Sequence, residues 1–165
     1  MSAITVRRFV PQDAEAVSAL VVRTLRISNA KDYPADYIEA TVAQHCPNNI
    51  LQRASWTHFY VACDGETPVG CGAIGSYWGS ETESSLFTIF VLPELHGCGI
   101  GRFIIQTLEQ DELFIRAERV EIPASLTAAE FYRRLGYDYK NGVKELDDEG
   151  HIRLEKFNRK KEGGK

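Results

Sequence analysis

A glycine-rich segment between two strongly apolar stretches constrains this sequence more than any other feature. Residues 86–92 form an apolar run that is short enough for a buried central strand, and the run ends at Pro93. From Gly101 onwards, apolar residues recur at helical spacing, so a helix has to begin inside the glycine-rich segment. Residues 91–102 therefore connect a central strand directly to an amphipathic helix.

The three alternating glycines of this connection favour an anion-binding loop. Gly97, Gly99 and Gly101 can adopt positive φ at little cost, so successive backbone N–H groups can converge on one ligand. The N-terminus of the following helix adds the positive end of its dipole. A phosphate or pyrophosphate is the ligand that this arrangement favours.

Two other phosphate-binding classes fit the sequence poorly. The P-loop pattern needs Lys and Ser or Thr after its last glycine, but Gly101 is followed by Arg102 and Phe103. A dinucleotide-binding pattern, G-x-G-x-x-G, occurs at residues 70–75. Residues 76–79 continue a strand there and do not open a helix, so this second pattern lacks the context that it needs.

Two segments together resemble the GNAT N-acetyltransferase superfamily. Its signature is Q/R-x-x-G-x-G/A after a strand that ends in V-x-P, and residues 91–93 and 96–101 match it with His96 at the Gln or Arg position. Residues 125–137 are similar to the superfamily's N-x-x-A-x-x-F-Y-x-x-x-G-F block, with Ser125 in place of Asn. The two motifs occur in the superfamily's order.

The resemblance implies an acetyl-CoA-dependent N-acetyltransferase. Acetyl-CoA is then the co-substrate, and the acetyl group passes by direct attack, in a ternary complex, to a primary amine of a small molecule or peptide. No metal is expected. Members of the superfamily often form dimers, so homodimerisation is a further expectation. A non-catalytic acyl-CoA sensor or regulatory module is the alternative interpretation.

The resemblance also implies roles for individual residues. Tyr132 is the candidate general acid for the leaving thiolate, because the superfamily's catalytic tyrosine falls at this F-Y position. Asp32 and Tyr33 follow the first helix, where the acceptor site usually forms, and are candidates for amine recognition. The residues expected to contact coenzyme A are Val91, His96, Gly97, Cys98, Gly99, Ile100, Gly101, Arg102 and Ser125.

Several side chains remain without a catalytic assignment. The general base is left open, because Glu81 and Glu83 are typical of solvated turn residues. His45 and His58 are isolated histidines that we interpret as structural. Transfer through an acetylated Cys98 is the less favoured route, since the superfamily varies this position and directs its side chain away from the acyl group.

The patterns along the chain predict the element order β-α-α-β-β-β-α-β-α-β-β. This order indicates an α/β (α+β) domain with a mixed, largely antiparallel sheet and helices on both faces. The second helix is expected over 35–46, and the last helix over 127–135 with Gly136 as its C-cap. Residues 1–157 form the predicted acetyltransferase domain, and residues 158–165 a flexible basic tail.

The composition limits the binding partners and the cellular location that we expect for the protein. A formal net charge of −4 disfavours a nucleic-acid partner, which usually selects for a basic face. The sequence contains neither a membrane-spanning apolar stretch nor a secretory signal pattern, so we expect no membrane association and a cytoplasmic location. The four cysteines form no C-x-x-C pair and are expected to be reduced thiols.

Overall fold

A computed structural model describes residues 3–158 of the chain. These residues form seven strands and six α-helices. The strands are β1 (Ile4–Arg8), β2 (His58–Asp64), β3 (Thr67–Ser76), β4 (Glu83–Val91), β5 (Arg119–Ser125), β6 (Asp138–Tyr139) and β7 (His151–Phe157). The helices are α1 (Ala14–Ile27), α2 (Ala35–Ala43), α3 (Pro47–Trp56), α4 (Ile100–Glu109), α5 (Glu112–Ile115) and α6 (Ala129–Arg134).

The strands form one mixed sheet in the order β1-β2-β3-β4-β5-β7-β6. Its pairs are antiparallel except for β4 and β5, which confirms the predicted α/β class with a largely antiparallel sheet. The parallel pair is short, because Glu83–Ser85 of β4 pairs with Arg119–Glu121 of β5 and the two strands then diverge. The remaining six residues of β4 have no partner on the β5 side.

Helices cover both faces of the sheet, as predicted. Neighbouring strand residues point to opposite faces, and Val61 and Ala62 of β2 belong to different buried clusters. The cluster around Ala62 is covered by α4, whereas the cluster around Val61 is covered by α1 and α3. None of the helices within residues 3–158 is long and apolar enough to cross a membrane.

Two helices are additional to the predicted order. The second helix, expected over 35–46, ends at Ala43, and a further helix, α3, begins at Pro47. Proline suits the first position of a helix, because its missing N–H has no partner there in any case. The second addition is α5, which begins after Asp111, whose carboxylate accepts a hydrogen bond from the N–H of Leu113 (2.8 Å).

The glycine pattern at residues 70–75 lies within β3 and opens no helix, as predicted. Its glycines allow α4 to approach the sheet closely. A Cβ atom at Gly72 would lie 2.7 Å from Cγ2 of Ile104, and one at Gly70 would lie 3.0 Å from Cδ1 of the same residue. Packing therefore accounts for the pattern, and the dinucleotide interpretation does not apply.

The end of β7 leads into Asn158, the first residue of the predicted tail. Its side-chain amide donates a hydrogen bond to the carbonyl oxygen of Phe114 (3.1 Å). Residues 159–165, which make up the rest of that tail, lie outside the described residues.

A buried carboxylate holds β5, β7 and the segment between β6 and β7 together. Glu121 is 0% exposed and accepts hydrogen bonds from Arg119 (2.9 Å), Lys140 (3.0 Å) and Arg153 (3.2 Å). Burial alone would raise the pKa of Glu121, but the bonds from Arg119 and Lys140 outweigh it and hold the pKa below its ordinary value. Three cations on different elements thus share this anion, and Arg119 and Arg153 also pair with other carboxylates.

Replacing this carboxylate is expected to destabilise the domain. Glu121→Gln leaves the three cations without their shared counter-ion, and breaking a buried ion pair costs about 3 kcal/mol of unfolding free energy. Urea unfolding measures the loss. The matched control is Glu130→Gln, whose exposed carboxylate pairs with Arg133 at 3.4 Å, and it should leave the urea midpoint unchanged. Equal midpoints for both variants would contradict the assigned role of Glu121.

Candidate active site

A cavity of about 450 Å³ opens where β4 and β5 diverge. The end of β4, the glycine loop, the start of α4, the C-terminal half of α1 and helix α6 contribute to its wall. Of the residues predicted to form a site, those that line this cavity are Val91, His96, Gly97, Gly99, Ile100, Gly101, Arg102, Ser125 and Tyr132. Cys98, Asp32 and Tyr33 do not line it.

The glycine loop has the backbone that an anion site needs. Gly97 and Gly99 have φ values of +84° and +86°, and a Cβ atom added at either one would meet no atom within 4 Å. Helix α4 begins at Ile100, directly after Gly99. The first N–H groups of a helix have no carbonyl partner within it, so those of α4 are available to a ligand in the cavity.

Gly101 is required for a different reason. It lies in the first turn of α4, where a Cβ atom would be 2.9 Å from Cζ of Phe131 in α6. The absence of a side chain thus lets α6 approach α4 and brings Tyr132 to the same cavity. The sequence alone had suggested a single role for all three glycines, and the structure separates two.

His96 braces the end of β4 against the loop. Its Nε2 lies 2.8 Å from the carbonyl oxygen of Val91, and because a carbonyl oxygen only accepts, Nε2 is the protonated nitrogen. The Thr24 hydroxyl in α1 also lies 3.2 Å from this oxygen, but its one proton is shared with the closer carbonyl oxygen of Leu20 (2.8 Å). The side chain at the family's Gln or Arg position thus fixes the strand end from which the loop departs.

Tyr132 is a buried side chain on the cavity wall. It is 4% exposed, and its ring packs edge-on against Phe131 at a centroid distance of 5.2 Å. Burial raises the pKa of Tyr132 well above its ordinary value, with a smaller contribution from Cys71. The phenol is therefore protonated throughout the neutral range and can donate a proton to a group in the cavity.

Ser125 is the last residue of β5 and also lines the cavity. Its hydroxyl oxygen accepts a hydrogen bond from the N–H of Ala128 (3.1 Å), which shapes the turn into α6. The hydroxyl proton has no partner in this bond, so it can still be donated to a ligand. The serine thus has both a structural bond and a donor that faces the cavity.

Asp32 and Tyr33 form hydrogen bonds that connect loops at the rim of the site. The Tyr33 hydroxyl donates to the carbonyl oxygen of Gly150 (2.7 Å) and accepts from the N–H of Leu126 (2.7 Å). The Asp32 carboxylate accepts a hydrogen bond from the hydroxyl of Thr127 (2.8 Å). Both side chains thus hold the turn that follows Ser125.

The cavity includes residues that the sequence motifs did not indicate. Thr24 lies in α1 and Ser28 and Asn29 directly follow that helix, roughly 70 positions before the glycines of the loop. Arg134 adds a guanidinium to the lining in addition to that of Arg102. The spacing of Thr24 and Ser28 places both on one helix face. No local pattern distinguishes that face from an ordinary buried helix surface.

Comparison with known proteins agrees with this geometry. Residues 55–139, just over half of the chain, match the model of the acetyltransferase (GNAT) domain. A search of curated proteins finds no match to the sequence. Among solved structures, a GCN5-related N-acetyltransferase from Rhodopseudomonas palustris is similar, with 23% identity, a TM-score of 0.77, and coverage of 96% of this chain and 98% of the other.

Two further structures share the fold. The PaiA N-acetyltransferase from Thermoplasma acidophilum, solved in complex with coenzyme A, is 16% identical with a TM-score of 0.78, and the match covers 94% of this chain and 99% of that one. An acetyltransferase from Streptococcus agalactiae is 16% identical with a TM-score of 0.71, over 96% of this chain and all of the other (100%).

The rim contacts give a prediction. Tyr33→Phe removes two hydrogen bonds and leaves the N–H of Leu126 without its acceptor, which should cost about 1–3 kcal/mol of unfolding free energy. Amide hydrogen exchange at Leu126 should become faster. Tyr37→Phe is the matched control, because Tyr37 stacks on Tyr33 but donates only to the carbonyl oxygen of Glu149. Unchanged exchange at Leu126 in Tyr33→Phe would show that Tyr33 does not hold this turn.

Proposed function

Since the chain belongs to the GNAT acetyltransferase family, we propose that it transfers an acetyl group from acetyl-CoA to a primary amine of a small molecule or peptide. The observation that supports the proposal is that two functional groups line the same cavity. A glycine loop with free N–H groups lies at its wall, and so does a buried, protonated Tyr132. Phosphate binding and protonation of a leaving group are the two tasks that this arrangement suits.

Coenzyme A is proposed to bind through its pyrophosphate at the glycine loop. The N–H groups of Ile100, Gly101 and Arg102 and the dipole of α4 supply a positive environment for it. The guanidinium groups of Arg102 and Arg134 add two charges at the cavity. The pantetheine arm then extends along β4, where the strand has no β5 partner.

The end of β4 is proposed to polarise the acetyl carbonyl. The N–H of Leu92 donates to the carbonyl oxygen of Val69 in β3 (2.9 Å). Successive N–H groups of a strand point to opposite sides, so the N–H of Val91 is directed toward the gap between β4 and β5. A donor held in this position stabilises the negative charge that develops on the thioester oxygen.

Acetyl transfer then proceeds by direct attack. A neutral amine nitrogen adds to the thioester carbonyl carbon and loses its extra proton to solvent. The C–S bond then breaks, and the Tyr132 phenol protonates the departing sulfur.

The cysteines support direct attack over transfer through an acetylated cysteine. Cys98 does not line the cavity, and burial raises the pKa of the Cys71 thiol to about 12. All four cysteines are free thiols, in keeping with a cytoplasmic location.

Isothermal titration with acetyl-CoA, coenzyme A and desulfo-CoA tests the loop. Micromolar binding is expected for the wild type, and at least a tenfold loss for Gly99→Glu, which strains a positive φ and brings a negative charge to the phosphates. Gly79→Glu is the matched control, since Gly79 also has positive φ (+77°) with nothing within 4 Å of an added Cβ. Failure of every coenzyme A species to bind the wild type would exclude the acetyltransferase and the acyl-CoA sensor together.

Thiol release across a panel of amines tests the chemistry. Tyr132→Phe should lower kcat by about 100-fold, the contribution typical of a general acid, while the affinity for acetyl-CoA stays unchanged. Tyr139→Phe, which alters a half-buried tyrosine of β6, serves as the control and should keep its kcat. Tight binding of acetyl-CoA without thiol release for any amine would favour the sensor function over catalysis.

A further inference from the structure

Arg53 of α3 is a half-buried cation that has no ion pair with any residue of the part of the chain that the structure describes. Its Nη1 donates a hydrogen bond to the hydroxyl of Thr88 in β4 (2.6 Å), and its guanidinium lies 5.6 Å from the ring centroid of Phe87. Among residues 3–158, no carboxylate lies within the 4.0 Å of an ion pair with it. The buried guanidinium of Arg119, in contrast, pairs with three carboxylates.

A hydroxyl group does not balance this charge. A guanidinium has five N–H donors, and the bond to Thr88 uses one of them. Burial lowers the pKa of Arg53 from its ordinary value, which reflects the cost of holding the charge away from water. An anion that reaches the guanidinium from solution would offset that cost.

Space for such an anion exists beside Arg53. A second cavity, of about 260 Å³, is lined by Gln44, Asn49, Gln52, Arg53 and Trp56. The three amide side chains can donate hydrogen bonds, and the lining includes no acidic residue. The cavity is therefore suited to a small anion that a guanidinium and amide groups bind together.

Strand β4 connects the second cavity with the proposed acetyl-transfer site. Thr88 has a left-handed φ of +54°, next to the register shift between β3 and β4, and this irregular backbone brings its hydroxyl to Arg53. The next three residues, 89–91, line the main cavity. Three steps along a strand span at most roughly 10 Å, so one small molecule can reach from Arg53 to the thioester carbonyl near Val91.

We infer that Arg53 binds a carboxylate of the acceptor, so that the acceptor is a small molecule carrying a carboxylate within roughly 10 Å of the amine that is acetylated. This inference rests on the proposed acetyltransferase function. A guanidinium binds the two oxygens of a carboxylate in a matched, bidentate geometry. Arg53 thereby acts as a specificity-determining residue that does not itself line the main cavity.

The test compares acceptors that differ only in the anion. The probes are glycine, β-alanine, 4-aminobutyrate and 6-aminohexanoate, each paired with its primary amide, and kcat/KM is measured for every member. The wild type should prefer the acid at one or more chain lengths. Arg53→Gln should reduce the acid-to-amide ratio by about 10-fold to 100-fold, as for loss of a hydrogen bond to a charged group, and leave the amide rates unchanged.

Two variants control for the charge and the fold. Arg53→Lys keeps the positive charge without the planar fork and should retain part of the preference. Arg8→Gln removes an exposed arginine of β1 and should retain all of it. Unchanged affinity of Arg53→Gln for acetyl-CoA verifies that this variant is folded. The same ratio in the wild type and in Arg53→Gln, or a wild-type preference for amides, would overturn the inference.

A measurement without turnover separates this inference from the proposed function. The N-acetyl derivatives of the four acids should raise the Tm of the wild type in the presence of coenzyme A but not that of Arg53→Gln, whereas N-acetyl amides should raise neither. This result would support the carboxylate site even if no amine released thiol and the acetyltransferase proposal failed. A Tm rise with inorganic phosphate but with none of the carboxylates would overturn the carboxylate assignment.

Discussion

The divergence of β4 from β5 is the constraint on which the rest of this structure depends. Paired strands lie about 4.8 Å apart, so no ligand can enter between them. Parallel pairing stops after Ser85, and the backbone groups of β4 that would have faced β5 are then left without strand partners. His96 supplies a donor for one of these groups, the carbonyl oxygen of Val91. The divergence thus opens a space beside β4, and residues 89–91 line the main cavity there.

The gap remains open because it is held from both ends. At the end where β4 and β5 still pair, Glu121 of β5 lies in register with Ser85 of β4. Glu121 also binds cations of three separate segments, so this part of β5 cannot shift toward β4 without breaking a buried ionic cluster. At the other end of the gap, Phe131 packs against Gly101 and holds α6 against the start of α4. The cavity between these two contacts is thus a preorganised feature of the fold.

Local chemistry explains which parts of this design could be predicted from the sequence. The start of α4 inside the glycine segment was predictable, as was a left-handed glycine just past α6, because only a few residues satisfy these backbone requirements. Helix α6 runs from Ala129 to Arg134 with Leu135 as its C-cap, and is thus shorter than the predicted 127–135 with a cap at Gly136. Helix α3 was not predicted, although Pro47 is well suited to open a helix. The contacts of Tyr33 with residues 126 and 150 depend on tertiary folding and have no sequence pattern.

The unpaired charge of Arg53 belongs to the same class of feature. A sequence shows that an arginine lies on a helix, but whether it has a counter-ion depends on elements 35 positions away, where Thr88 adopts an unusual left-handed backbone. Both features carry a free-energy cost that an ordinary core would avoid, since a β-branched residue disfavours positive φ and a buried cation favours an ion pair. They occur in direct contact and beside the proposed reaction site. Strained backbone and buried charges without an ion pair cluster at ligand-binding sites. The ligand that would pair with Arg53 is an anion.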